Sequence, residues 1–158
     1  MQLSLTIELV PTTCWYSNVR SNVLPQTWDR LQNLHFAAAG YRCEICGGRG
    51  HSHPVELHEI WHYDDRRCIQ QLHHLATLCP RCHQVKHIGL AIHSQAARHA
   101  IQWLAAVNQI DNKQAVEYVL RCLQEHQIRS QFEWRLDLSL LKNKFGVNLS
   151  ASGLEVGL

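Results

Sequence analysis

The densest chemical signal in the chain is a pair of cysteine knuckles, Cys43-Glu-Ile-Cys46 and Cys79-Pro-Arg-Cys82. Two residues between cysteines let both sulfurs face one ion, and Gly47 and Gly48 allow a tight turn after the first pair. Together they offer four thiolates to a tetrahedral Zn²⁺, with Zn–S near roughly 2.3 Å and no open position. Such a site is structural, and its binding energy is folding energy. The stretch between the knuckles is longer than in a simple zinc ribbon and leaves room for a hairpin. Cys14, Cys68 and Cys122 remain as spare thiols, an odd remainder that fits metal ligation better than a disulfide framework.

The second knuckle runs directly into His83-Gln-Val-Lys-His87. A helix starting near Pro80 would put His83 and His87 one turn apart on one face, where two imidazoles can grip one ion. Upstream, Val55-Glu-Leu-His-Glu-Ile-Trp61 reads as a strand, with Glu56 and His58 on one face and Val55, Leu57 and Glu59 on the other. His51, His53, His62, His73 and His74 crowd the same region, so the combination carries the weight rather than any single imidazole.

The ordered set Cys43-x2-Cys46, Glu56-Leu-His58-Glu59-Ile60 and Leu78-Cys79-Pro-Arg-Cys82-His83-x3-His87 resembles the HNH endonucleases, the zinc-containing ββα-metal nucleases. The likeness covers residues 41–89, and the segments TCWYSNVRSNV and WHYDD are similar to those of small bacterial members. The resemblance implies hydrolysis of nucleic-acid phosphodiesters, DNA foremost, with one divalent metal (Mg²⁺, Mn²⁺, Ni²⁺ or Zn²⁺) besides the structural Zn²⁺. It implies His58, His83 and His87 as ligands of that catalytic metal. The general-base histidine of the family falls on Glu59, and the loop asparagine falls on His74; both are departures.

Proton abstraction near neutral pH suits an imidazole, with an ordinary pKa of about 6.5. Three bases therefore stay open: Glu59, if desolvation raises its pKa; His58, steered by Glu56; and His62. Arg42, Arg49, Arg66, Arg67, Arg81 and Lys86 surround the site in sequence and are expected to neutralise phosphates, although Glu44, Asp64 and Asp65 are interleaved. Trp15, Tyr16 and Arg20 fit either stacking on bases or packing. Trp103, Trp134, Tyr118 and Phe132 are expected in the core.

These groups need elements to hold them. Leu3, Leu5, Ile7 and Leu9 alternate with polar residues, which predicts a strand ending at Pro11. Pro25 to Ala39 reads as a helix with Trp28, Leu31 and Leu34 on one face and Gly40 as C-cap. Ala91 to Val107 reads as a second helix with Ile92, Ala96, Ala100 and Leu104 aligned. Asp111 is the expected N-cap of a third, running to about Gln127. Phe132, Trp134, Leu136 and Leu138 predict a closing strand able to pair with the first.

The expected fold is thus α+β: a ββα-metal (HNH) core with a structural four-cysteine zinc site, an N-terminal strand and helix, and two or three C-terminal helices with a closing strand. The divisions are 1–40, 41–89, 90–140 and a loose tail at 141–158, in one compact domain. An apolar share of 46% across 158 residues suffices for a core, and a net charge of +2 is only mildly basic. No run approaches the roughly 18 apolar residues of a membrane span, and no secretory pattern opens the chain. A soluble cytoplasmic protein is expected, with nucleic acid as partner, a protein partner or homodimer open, and no membrane association.

Overall fold

The computed structural model describes residues 3–15, 17–50 and 54–157, so Tyr16, His51 and His53 lie outside the described residues. The elements run α1 (Val19–Asn22), α2 (Pro25–Ala38), β1 (Glu56–Asp64), β2 (Ile69–Leu78), α3 (Pro80–Lys86), α4 (Ile88–His93), α5 (Ala97–Asn108), α6 (Asn112–Arg129), β3 (Arg135–Asp137) and α7 (Ser139–Phe145). This is an α+β chain with a three-stranded sheet in the order β1-β2-β3. Among the described residues no helix is long and apolar enough to cross a membrane.

β1 and β2 form an antiparallel hairpin, from Glu56 opposite Leu78 to Asp64 opposite Ile69. An irregularity falls where Ile60 pairs with His74 but Trp61 pairs with Leu72, leaving His73 unmatched. The extra residue resets the side-chain alternation on β2. Leu72 and Leu75 therefore reach the same apolar cluster, together with Leu57, Val19, Trp28, Leu31 and Leu141. The second cluster joins Leu5, Leu78, Cys82, Val85, Ile88, Leu104 and Ala115 of the N-terminal segment, β2 and the helices α3 to α6.

The N-terminal strand does not form. Residues 6–10 belong to no ladder. The alternation is nevertheless real, because Leu5 and Ile7 are buried. Side chains replace the missing strand partner: Asn108 accepts from the Leu5 N–H at 2.9 Å and donates to the Leu5 carbonyl at 2.8 Å. The Tyr118 hydroxyl accepts from Ile7 N–H, and the Lys86 carbonyl accepts from Glu8 N–H. The closing strand is only the three residues of β3, and it pairs in parallel with Ile69–Gln71 of β2 rather than with the N-terminal segment. Trp134 is buried there as expected, but Phe132 is 51% exposed.

The helix expected over Ala91–Val107 is two helices, α4 and α5, broken where Gln95 takes a left-handed φ of 62°. Neither glycine nor proline marks the break, so periodicity alone runs straight through it. Ile92 and Leu34, both expected inward, are exposed. Asp111 caps α6 through a reciprocal pair of hydrogen bonds with Gln114.

The tail is also packed, against expectation. Leu141 and Val147 are buried, and Leu149 bridges to Glu155. The Glu155 carboxylate accepts from Leu24 N–H at 2.6 Å and from the Thr27 hydroxyl at 2.8 Å. It thereby caps α2, whose own N-cap residue Leu24 has no side chain able to do so.

Candidate functional site

The two knuckles converge. Cys43, Cys46, Cys79 and Cys82 bring their sulfurs within 4.8 Å of one another, and none is in a disulfide. Cys46 Sγ and Cys79 Sγ are 3.6 Å apart. Two corners of a tetrahedron with ~2.3 Å Zn–S bonds would be separated by about 3.8 Å. Gly47 turns the first knuckle with φ of 73°, a conformation that costs glycine little. Glu44 fastens that knuckle to β2: its N–H donates to the Thr77 carbonyl, and its carboxylate accepts from Thr77 N–H at 2.7 Å. Trp103, expected only as packing, donates its indole N–H to Cys82 Sγ at 3.3 Å.

The protonation chemistry of the quartet fits a cation. Hydrogen bonding from Cys82 holds Cys43 down to about 4, while burial pushes Cys46 up to about 11. Cys82 is pushed up by its bond to Cys43 and by burial. Without a cation one thiolate is stabilised while its neighbours stay protonated; a bound metal would balance four thiolates at this spacing.

The same helix brings the imidazoles together. His58, His83 and His87 each offer a ring nitrogen within 4.8 Å of the others. His83 Nε2 and His87 Nε2 are 3.1 Å apart, and the His58 ring lies 5.2 and 4.9 Å from theirs, centroid to centroid. Glu56 contacts His83 Nδ1, which turns Nε2 of that ring inward, the arrangement by which a carboxylate orients a metal-binding imidazole. Burial lowers the pKa of His83, and burial with the neighbouring His58 takes His87 down to about 4. Both rings are therefore neutral and ligand-competent near pH 7.

His58 supplies the sharpest test of whether an ion belongs here. It is 3% exposed, and neither ring nitrogen has a hydrogen-bond partner among the described residues. A neutral imidazole has one donor and one acceptor, and leaving both unmet in the interior costs on the order of 1–3 kcal/mol per group. An ion among the three rings would satisfy one nitrogen. The donors present thus fit a divalent metal that accepts imidazole nitrogen.

Glu8 belongs to this site although no motif in the sequence points to it. Its Oε2 stands 3.6 Å from His58 Nε2 and accepts from Trp61 N–H at 3.3 Å, while Oε1 pairs with Lys86 Nζ at 3.0 Å. Burial alone would raise the pKa of Glu8, but the His58 ring and the Lys86 ammonium hold it below its ordinary value. Lys86 is correspondingly not a phosphate contact. It is 3% exposed and committed to Glu8 and the Thr6 hydroxyl.

Glu59 stands on the other face of β1 from His58, where its Oε1 accepts from Val19 N–H at 3.1 Å. Burial raises its pKa. Both faces reach one cavity of about 410 Å³ along the free edge of β1, lined in part by Glu8, His58, Glu59, Trp61 and His87. His62 is exposed and outside the imidazole cluster. His74 is half-exposed with its Nε2 3.5 Å from Glu44. Arg42, Arg49, Arg66, Arg67 and Arg81 are exposed, and none lines the cavity. Arg81 lies over the Trp103 ring, and Arg67 faces Asp64 at 3.7 Å.

Compared with protein-family models, with curated proteins and with solved structures, the chain matches none of them.

Proposed function

We propose that the protein is a metal-dependent endonuclease of the HNH type, acting on DNA, in which β1, β2 and α3 form the ββα-metal core. One observation carries the reading: a buried imidazole, with Glu8 3.6 Å from one nitrogen and no hydrogen bond at either among the described residues, faces two neutral imidazoles beside four converging thiols. The cysteine quartet would hold Zn²⁺ as a staple, which suits the reducing cytoplasm. His58, His83 and His87 would hold a second divalent ion, a Lewis acid for a phosphoryl oxygen. Glu56 and Glu8 orient the rings from behind. Glu59, with its pKa raised by burial, takes the proton from the attacking water at the edge of the cavity.

A second reading has its own support. Glu59 points away from His58 and already accepts a backbone hydrogen bond, which favours a zinc-stabilised nucleic-acid- or partner-binding module without catalysis.

The deciding experiment is cleavage of DNA and RNA with Mg²⁺, Mn²⁺ or Ni²⁺ supplied. His58→Ala and His87→Ala are expected to abolish cleavage, and Glu59→Gln to slow it by about 10²–10⁴-fold. Full metal-dependent cleavage by both histidine variants would refute the assignment. Failure of the wild-type protein to cut either nucleic acid with any metal would leave the binding module standing.

A further inference from the structure

We propose that the cavity at the edge of β1 receives one unpaired nucleobase, so that the substrate enters as a single strand or as a locally splayed duplex. This rests on the nuclease reading and specifies its substrate. The cavity of about 410 Å³ lies at the lower end of the roughly 300–1,000 Å³ that small-molecule pockets occupy, which suits a nucleotide and excludes a double helix. It is continuous with the imidazole cluster, since His58 and His87 form part of its wall. A base seated in it would bring its own backbone linkage to those rings.

Two features of the lining recognise a base. Gln70 is fully buried at the cavity wall, with its Oε1 accepting from Cys14 Sγ at 2.7 Å and its Nε2 without a partner among the described residues. An amide nitrogen carries two donors, and because this one has no accessible surface, it meets a base carbonyl or ring nitrogen only once the side chains of the wall shift. Trp61 and Trp15, the latter 66% exposed, both line the cavity, and an indole can stack on a base. The exposed arginines stay outside the cavity, so its local affinity comes from stacking and from Gln70 rather than from phosphate charge. A base inside a duplex cannot reach either feature unless it leaves the stack.

The test uses the metal-loaded full chain and a short oligonucleotide carrying 2-aminopurine, with phosphorothioate linkages to slow cleavage, presented single-stranded and as a duplex. The single strand is expected to bind more tightly and to show quenched 2-aminopurine fluorescence. Trp15→Ala should weaken that binding by between about fivefold and a hundredfold, the range for loss of one stacked base. Gln70→Met should reduce discrimination among bases; if that buried variant does not fold, the exposed Trp15 variant decides. Preference for duplex, or an unchanged affinity in Trp15→Ala, would overturn the base pocket while metal-dependent cleavage of the same duplex kept the nuclease reading intact. Binding of neither form would overturn both.

Discussion

Lys86 and Glu8 form a buried ion pair beside the imidazoles, and each is costly without the other. Removing one partner of a buried pair costs about 3–5 kcal/mol, because the remaining charge is left uncompensated. Glu8→Gln and Lys86→Met are each expected to destabilise the protein by that order in denaturant melts, and the double variant to recover much of the loss. Additive single effects would show that the pair is not coupled. Glu8→Gln should also weaken binding of the second metal, because His58 loses its orienting carboxylate. The neutral histidines make a separate prediction. His83 and His87 titrate lower in the folded chain than the ordinary value near 6.5, so the unfolded chain binds more protons as the pH falls. Stability from this source is complete above about pH 6.5 and is lost as the pH falls toward about 4. His87→Gln should flatten that slope in metal-free protein, and an unchanged slope would contradict it. The thiolate quartet and the His83–His87 pair were legible from spacing, because a knuckle and an i, i+4 pair constrain geometry locally, whereas His58 entered as a ligand only through the family resemblance. Glu8 and the burial of Lys86 were not legible, since both depend on where a distant segment is laid.

That segment is the instructive element. The alternation of Leu3 to Leu9 correctly marked a run with one buried face, yet period-two patterning says nothing of what pairs with the backbone. Here Asn108 of α5 imitates a strand partner by meeting both the N–H and the carbonyl of Leu5. Asn108→Ala would leave those two groups unmatched, at about 1–3 kcal/mol each. Amide exchange at Leu5 should then accelerate, and with it at Glu8, whose N–H bonds the Lys86 carbonyl. Unchanged protection at both amides would show that burial alone holds the segment. Proline marked the start of α3 and the run around His58 marked β1, but β2 was expected only as room for a hairpin and through the ββα resemblance. The split between α4 and α5 had no such mark, since its left-handed turn falls on Gln95 rather than glycine.

Across the whole molecule the sheet separates two apolar clusters, and the site sits where the N-terminal segment crosses the free edge of β1. Parts remote in sequence complete it: Glu8 from one end, α3 from the middle, and α5 and α6 bracing the segment that carries Glu8. The tail contributes by capping α2 through Glu155, a long-range contact that its Gly-, Ser- and Asn-rich composition concealed. The folded chain is therefore expected to hold two metal ions of different kinds. Elemental analysis of protein saturated with divalent metal and then desalted should find two equivalents in the wild type. His58→Ala should retain only the thiolate-bound Zn²⁺. A single equivalent in the wild type, or two in His58→Ala, would contradict the imidazole site.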